Sequence, residues 1–268
     1  MAETDTQSRT ALVTGASSGI GWELADVAAG DGYDVVLTAR REERLRELAD
    51  KLEKKHGVRT TVISQDLAVQ NAAETLFESV QDEGLEIHTL VNNAGIPNYG
   101  DFLETDREAE QGMMQLNTVT LTELTKLFGR EMSTRGDGAI LNTASLAALY
   151  PIPKKAVYAA TKSYVLSFSR AVAHELEDEG ITVTALCPGV VETEYADRGN
   201  VDDSNTMDGI TNDPRTVAKA GWDGLQNGER IVFPSTFATY GAQAVRILPR
   251  KMITKLGEST VEEGQSWI

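Results

Sequence analysis

Cysteine is nearly absent: Cys187 is the single one in 268 residues. No intrachain disulfide can form, and Cys-x-x-Cys metal and redox motifs are excluded, so a reducing compartment is expected. Histidine is almost as scarce. His56, His88 and His174 lie far apart without ligand spacing, and no metal site is expected. There is no run of 18 apolar residues and no signal-type n-, h- and c-region, which excludes a membrane-spanning helix and favours a cytoplasmic location. Basic side chains are also few, 25 Lys and Arg against 41 Asp and Glu, for a net charge of −16. Such a surface repels phosphate backbones and disfavours nucleic-acid binding as a main function.

What is present fits one soluble domain. Hydrophobic residues make up 41% and charged residues 25%, in the globular range, and the length suits a single α/β unit. Residues 1–8 read as a solvated acidic tail and 9–268 as the domain. The acids are spread along the whole chain, which suits either adaptation to high salt or an ordinary acidic protein. Unfolding measured from low to molar salt separates the two, because only the first gains stability with salt.

From residue 10 onward, short apolar strands alternate with helical patterns. Strands are expected at Thr10–Thr14, Asp34–Thr38, Thr60–Ser64, Ile87–Val91, Gly138–Thr143, Ile181–Leu186 and Arg230–Phe233. Helices are expected at about Gly19–Ala29, Glu42–His56, Val69–Asp82, Asp106–Thr134 and Tyr158–Glu179. This alternation implies βαβ units and a parallel sheet covered on both faces, a doubly wound Rossmann-type α/β fold. Two regions break the rhythm. Residues 190–212 are polar, long and weakly periodic, as in a substrate loop. Arg230–Leu256 carries Arg230, Arg246, Arg250, Lys251 and Lys255 with no acid. A closing C-terminal helix or an oligomer interface within the 236–268 extension is the preferred reading. Docking to a membrane or an acidic partner is disfavoured, since it needs a more sustained apolar face.

Between the first strand and its helix stands Thr14-Gly-Ala-Ser-Ser-Gly-Ile-Gly21. Glycines at 15, 19 and 21 let the backbone turn tightly and approach a pyrophosphate, which the helix N-terminus then attracts. Ser17, Ser18 and Ile20 share that loop. At the end of the second strand, where NAD binders carry an acid for the ribose 2′-hydroxyl, the chain reads Thr38-Ala-Arg-Arg-Glu42. A guanidinium pairs with a 2′-phosphate that a carboxylate would repel, so NADP(H) is expected over NAD(H). Asp66, after the third strand, is placed either to reach an adenine edge or to serve a simple turn.

Tyr158 and Lys162 lie four residues apart, on one face of a helix. A phenol titrates near pH 10, and a neighbouring cation that lowers this by about three units supplies about 4 kcal/mol. Ser145 precedes Tyr158 by 13 residues and ends the fifth strand, on the side of such sheets where ligands bind.

These residues resemble the short-chain dehydrogenases/reductases, in the shorter single-domain branch, over roughly residues 9–235. The glycine loop matches the family's Thr-Gly-x-x-x-Gly-x-Gly motif, and Asn92-Asn-Ala-Gly95 its strand-four motif. Asn117 matches the catalytic asparagine, and Ser145, Tyr158 and Lys162 complete a tetrad. Pro188-Gly189-Val-Val191-Glu-Thr193 matches the nicotinamide-side motif. The resemblance implies a seven-stranded parallel sheet and hydride transfer between NADP(H) and a carbonyl or alcohol. Ser145 would hold the carbonyl oxygen and Tyr158 would act as general acid. Lys162 would bind the nicotinamide ribose, and Asn117 would organise a water-linked relay. Arg40 would mark NADP(H) preference, with help from Ser17 and Arg41, since Ser18 stands where some members carry a basic residue. A homodimer or homotetramer is the family expectation.

Ile96, Leu146, Tyr150, Ile152 and Tyr195 follow strands four to six and are candidates for the pocket of a small apolar carbonyl substrate. Tyrosine–lysine and glycine spacings exclude enoyl reductases and nucleotide-sugar epimerases. A cofactor-sensing regulator without turnover is the rival reading, and the full tetrad argues against it. Cys187, before Pro188, reads as a small buried residue.

Overall fold

The computed structural model describes residues 9–191 and 213–235. Seven strands form one parallel sheet in the order β3-β2-β1-β4-β5-β6-β7. They are β1 (Thr10–Thr14), β2 (Asp34–Ala39), β3 (Thr60–Ser64), β4 (Thr89–Asn92), β5 (Gly138–Thr143), β6 (Ile181–Leu186) and β7 (Ile231–Val232). The helices are α1 (Gly19–Gly30), α2 (Glu42–His56), α3 (Ala72–Asp82), α4 (Arg107–Met114), α5 (Leu121–Arg135), α6 (Ala156–Glu175) and α7 (Pro214–Gln226).

The near-continuous apolar runs of the strands follow from burial on both faces. In β1, Ala11 and Val13 join one core and Leu12 joins the other. Leu90 and Val91 of β4 divide the same way, as do Ile140 and Leu141 of β5. The first core holds Leu24 of α1, Leu45 and Leu52 of α2 and the fully buried Trp222 of α7. The second holds Leu76 of α3 and Phe128 of α5. Trp222 packs edge-on to Tyr33, with ring centres 5.1 Å apart, and its indole N–H donates to Asp31 at 2.6 Å.

Several boundaries depart from the sequence expectation. Helix α3 begins at Ala72 instead of Val69, because Asn71 takes a left-handed conformation and ends the preceding turn. The stretch expected as one helix from Asp106 is interrupted by a π-helical segment, Gln115–Thr120, which carries Asn117. Helix α6 starts two residues before Tyr158 and gives way to a 3₁₀ turn at Glu177–Glu179. Helix α7 was not anticipated. Its start is nonetheless written in the sequence, with Asp213 as a cap accepting from Thr216 N–H at 2.9 Å and Pro214 in the first turn.

Most of 190–212 and 236–268 lies outside the described residues, and with it Thr193, Tyr195 and all of the basic segment beyond Ser235. Among the described residues no helix is long and apolar enough to cross a membrane.

One buried carboxylate ties three helices together. Asp26 of α1 is 3% exposed and is met by Lys55 at 2.9 Å and His56 at 2.9 Å from α2, and by Arg215 from α7. Burial alone would raise its pKa, but hydrogen bonds from His56 and Lys55 and the charges of Arg215 and Lys55 prevail and hold it at about 2. A folded value below the unfolded one stabilises the fold at neutral pH by about 2–3 kcal/mol, and that contribution fades as pH falls from about 4 through about 2. Asp26→Asn should therefore lower thermal stability at pH 7 and remove this part of the acid dependence, as read by denaturant melts between pH 2 and 7.

Candidate active site

The order of the strands reverses direction between β1 and β4, and the crevice at their carboxyl ends is where open α/β sheets bind ligands. The glycine loop lies there, locked onto β4. Thr14 Oγ1 donates to Val91 O at 3.2 Å and accepts from the N–H groups of Asn93 and Ala94, each at 2.9 Å. Asn93 Nδ2 donates to Thr14 O at 3.1 Å. The contact leaves no room for side chains. A Cβ on Gly21 would sit 2.3 Å from Gly15 O and 2.4 Å from Asn93 Nδ2. Gly15 has φ +70, and a Cβ there would meet Ala94 Cα at 2.9 Å. Asn93 is thus a structural partner of the loop that sequence reasoning passed over, although it stands inside the Asn-Asn-Ala-Gly motif.

Helix α1 starts at Gly19 with Ser18 as its N-cap, and no side chain caps it. Its first N–H groups and positive dipole end suit a pyrophosphate. The two arginines after β2 make different contacts. Arg41 reaches the glycine loop, Nη2 donating to Ser17 O at 3.1 Å and Nε to Ser17 Oγ at 3.4 Å. Arg40 is about half exposed, with Nη1 4.0 Å from the Asp66 carboxylate. Asp66 accepts from Ala68 N–H at 2.9 Å, the turn geometry that was the plainer of its two readings.

Asn92 does not face the crevice. It is 2% exposed, and its amide donates to Thr125 Oγ1 at 3.1 Å and Asn142 Oδ1 at 2.9 Å, joining β4 to β5 and α5. The amide hydrogens of Asn92, expected to belong to the cofactor site, are thus committed to partners in β5 and α5.

Lys162 is 4% exposed and donates to Thr143 O, at the end of β5, at 2.8 Å. Burial lowers its pKa to about 8, against a smaller opposing influence from Cys187. The Cys187 thiol is itself pushed up to about 12 by burial and stays protonated at neutral pH, matching the expected inert residue. The Lys162 ammonium lies 5.9 Å from the centre of the Tyr158 ring, one helical turn away. Ser145 ends the run after β5, its Oγ accepting from Ala147 N–H at 3.1 Å. Ala147, Tyr150, Ile152, Tyr158 and Ala159 form one apolar cluster, so Tyr150 and Ile152 pack beside the phenol.

Asn117 is buried, and its side chain is committed to protein. Nδ2 donates to Ile96 O at 3.1 Å and Thr161 Oγ1 at 3.2 Å, while Oδ1 accepts from Ile96 N–H at 3.0 Å. Thr161 in turn donates to Tyr158 O at 2.8 Å. The asparagine thus fixes the loop after β4 against the helix that carries Tyr158 and Lys162. Its amide hydrogens have no capacity left for a water. Leu146 N–H donates to Pro188 O at 2.8 Å, which brings the Pro188-Gly189 turn against the Ser145 segment. The cleft that borders Tyr158 is lined by Phe102, Glu110, Lys154 and Lys155, none of which the sequence reading had selected.

A switch-point crevice with a glycine cradle and a buried lysine beside a tyrosine defines a dinucleotide-binding oxidoreductase class. The description of the short chain dehydrogenase family matches residues 9–203, and the chain belongs to that family. It is 31% identical over 249 residues to the very-long-chain 3-oxoacyl-CoA reductase-B of Danio rerio, covering 91% of this chain and 78% of that protein. It is 33% identical over 192 residues to the diacetyl reductase [(S)-acetoin forming] of Staphylococcus epidermidis, covering 71% of this chain and 74% of that one. A short-chain dehydrogenase from Sphingobium yanoikuyae, solved in complex with NADPH, superposes with a TM-score of 0.81 at 31% identity, over 88% of this chain and 92% of that one.

Two outcomes follow from this geometry. Gly21→Ala should destabilise the fold by about 1–3 kcal/mol, because the Cβ has nowhere to go, and should weaken dinucleotide binding, as measured by fluorescence titration. A lysine whose folded pKa is depressed binds fewer protons than in the unfolded chain between about pH 8 and 10, so its penalty eases as pH rises. The cofactor-free protein should gain stability over that window relative to Lys162→Met.

Proposed function

We propose that the protein is an NADP(H)-dependent carbonyl reductase, reversible as an alcohol dehydrogenase, with Tyr158 as its general acid. The arrangement of Tyr158, the buried Lys162 and Ser145 at the carboxyl end of β5 carries this reading. When bound, a nicotinamide cofactor supplies the hydride. The residues present fit such a group: the Gly15–Gly21 cradle excludes side chains, the N-terminus of α1 is uncapped, and Ala39 with two arginines takes the place of a ribose-binding acid. Gly95, Gly189, Val191 and Thr193 would complete the cofactor's surroundings. Arg41, with Ser17, is the better placed 2′-phosphate ligand, and Arg40 supports it from the adenine side.

Ser145 donates a hydrogen bond to the substrate carbonyl oxygen, polarising it. Tyr158 gives that oxygen its proton. Lys162, with one N–H held by Thr143 O, keeps positive charge beside the phenol and so favours proton release; its remaining hydrogens suit ribose hydroxyls. Asn117 acts as a positioning residue, keeping Ile96 and the Tyr158 helix in register. The relatives named above carry names of ketone-reducing enzymes, which supports the direction and the small-molecule substrate class.

Wild-type protein should consume NADPH with butane-2,3-dione in molar salt. Tyr158→Phe should lower that rate by about 10²–10⁴-fold, the usual contribution of a positioned general acid. Equal rates would remove Tyr158 from its role. NADPH binding without turnover in the wild type would favour the sensor reading. Arg41→Ala should raise KM for NADPH about tenfold while leaving KM for NADH nearly unchanged, as read by initial rates.

A further inference from the structure

Lys154 and Lys155 stand just before Tyr158 in sequence, and both line the cleft that Tyr158 borders. The local backbone would favour other residues at both positions. Residues 152–155 form a turn, with Lys155 N–H donating to Ile152 O at 3.1 Å. Pro153 holds the second position and Lys154 the third, with φ +62. A proline followed by a positive φ is the type II pattern, whose third residue is usually glycine or asparagine because a longer side chain is strained there. Lys155 is the N-cap of α6 and provides no side-chain cap. Small oxygen-bearing residues are preferred at that position, and a cation opposes the helix dipole. The needs of the turn and of the helix therefore explain neither lysine.

The two are nevertheless held in place. Gly100 N–H donates to Lys154 O at 2.9 Å, tying the turn to the loop that follows β4. The Lys155 ammonium lies 5.9 Å from the centre of the Tyr99 ring. Glu110, the carboxylate in the lining among the described residues, accepts at Oε1 from Thr105 Oγ1 at 2.7 Å and from Asn98 Nδ2 at 3.5 Å. Among the described residues the lining holds two cations and one acid beside Tyr158, in a chain whose net charge is −16.

We propose that the substrate carries an anionic group, a carboxylate or a phosphate, several atoms from its carbonyl, and that Lys154 and Lys155 hold this group while the carbonyl meets Ser145 and Tyr158. This rests on the reductase reading and narrows it to a substrate class. Ammonium-to-oxyanion hydrogen bonds are about twice as strong as neutral ones, and a cationic spot on an acidic surface concentrates anions where they react.

The test is NADPH consumption with linear oxo acids from 4-oxopentanoate to 8-oxononanoate, each against its methyl ester, and with dihydroxyacetone phosphate against dihydroxyacetone. Wild type, Lys154→Gly and Lys155→Asn are compared. In at least one pair the wild type should prefer the anion by about tenfold in kcat/KM, mainly through KM, with the preference falling as salt rises. The pair that shows it distinguishes carboxylate from phosphate. Each substitution should shrink the ratio of anion to neutral substrate. Both introduce residues suited to the local backbone, so thermal stability should hold or rise, which separates lost recognition from lost folding. A wild-type ratio near one in every pair, or a ratio unchanged in both variants, would overturn the proposal. Absence of turnover with all of these and with butane-2,3-dione would instead overturn the reductase reading, and this inference with it.

Discussion

The close approach of the first strand–helix turn to the end of β4 is the constraint on which the site depends. Two stretches of backbone meet where Gly15 and Gly21 leave no space for a Cβ, and Thr14 Oγ1 bonds across the junction to Val91, Asn93 and Ala94. This contact sets the direction of α1 and thereby its N-terminus. It also fixes the start of the loop whose next turn, at Ile96, is gripped by Asn117. From Asn117 the connection passes through Thr161 to the helix carrying Tyr158 and Lys162. The glycine loop and the Tyr158–Lys162 pair are therefore two ends of one connected path.

Charge is distributed unevenly over this frame. Among the described residues the acids are mostly on the surface, Asp26 and Asp34 being the buried ones, whereas several cations stand around the crevice. Arg41 sits on the glycine loop, Lys162 is buried beneath the phenol, and Lys154 and Lys155 line the cleft. Asp26 shows the reverse arrangement, one buried acid among cations of α2 and α7, and its work is to hold helices together. The same Coulomb attraction gives cohesion at Asp26 and, under the proposed function, would serve binding at the crevice, where Lys154 and Lys155 line an open cleft.

The fold was legible because its signals are local. Apolar runs short enough for strands, separated by amphipathic stretches, place α2, β1, β3, β5 and β6 with the same bounds in sequence and structure. Where tertiary contacts decide, that reading stops short. The π-helical segment that turns Asn117 inward has no hydrophobic period of its own. Helix α7 follows a polar stretch and was missed despite a good cap at Asp213. Asn92 and Asn93 are adjacent in one motif, yet the alternation of strand side chains sends one into the core, and only the other reaches the glycine loop.

The sequence alone determined the parallel α/β architecture, the glycine cradle, the absence of a ribose-binding acid after β2, and the Tyr158–Lys162 pair, since each rests on residue types at fixed spacing. Tertiary structure decided that Arg41 and not Arg40 touches the loop. It also decided that Asn117 is committed to Ile96 and Thr161, and that Lys154 and Lys155 border the phenol's cleft. The reason is physical: spacing along a chain fixes which side chains share an element's face, while the partner facing them is set by how separate elements meet.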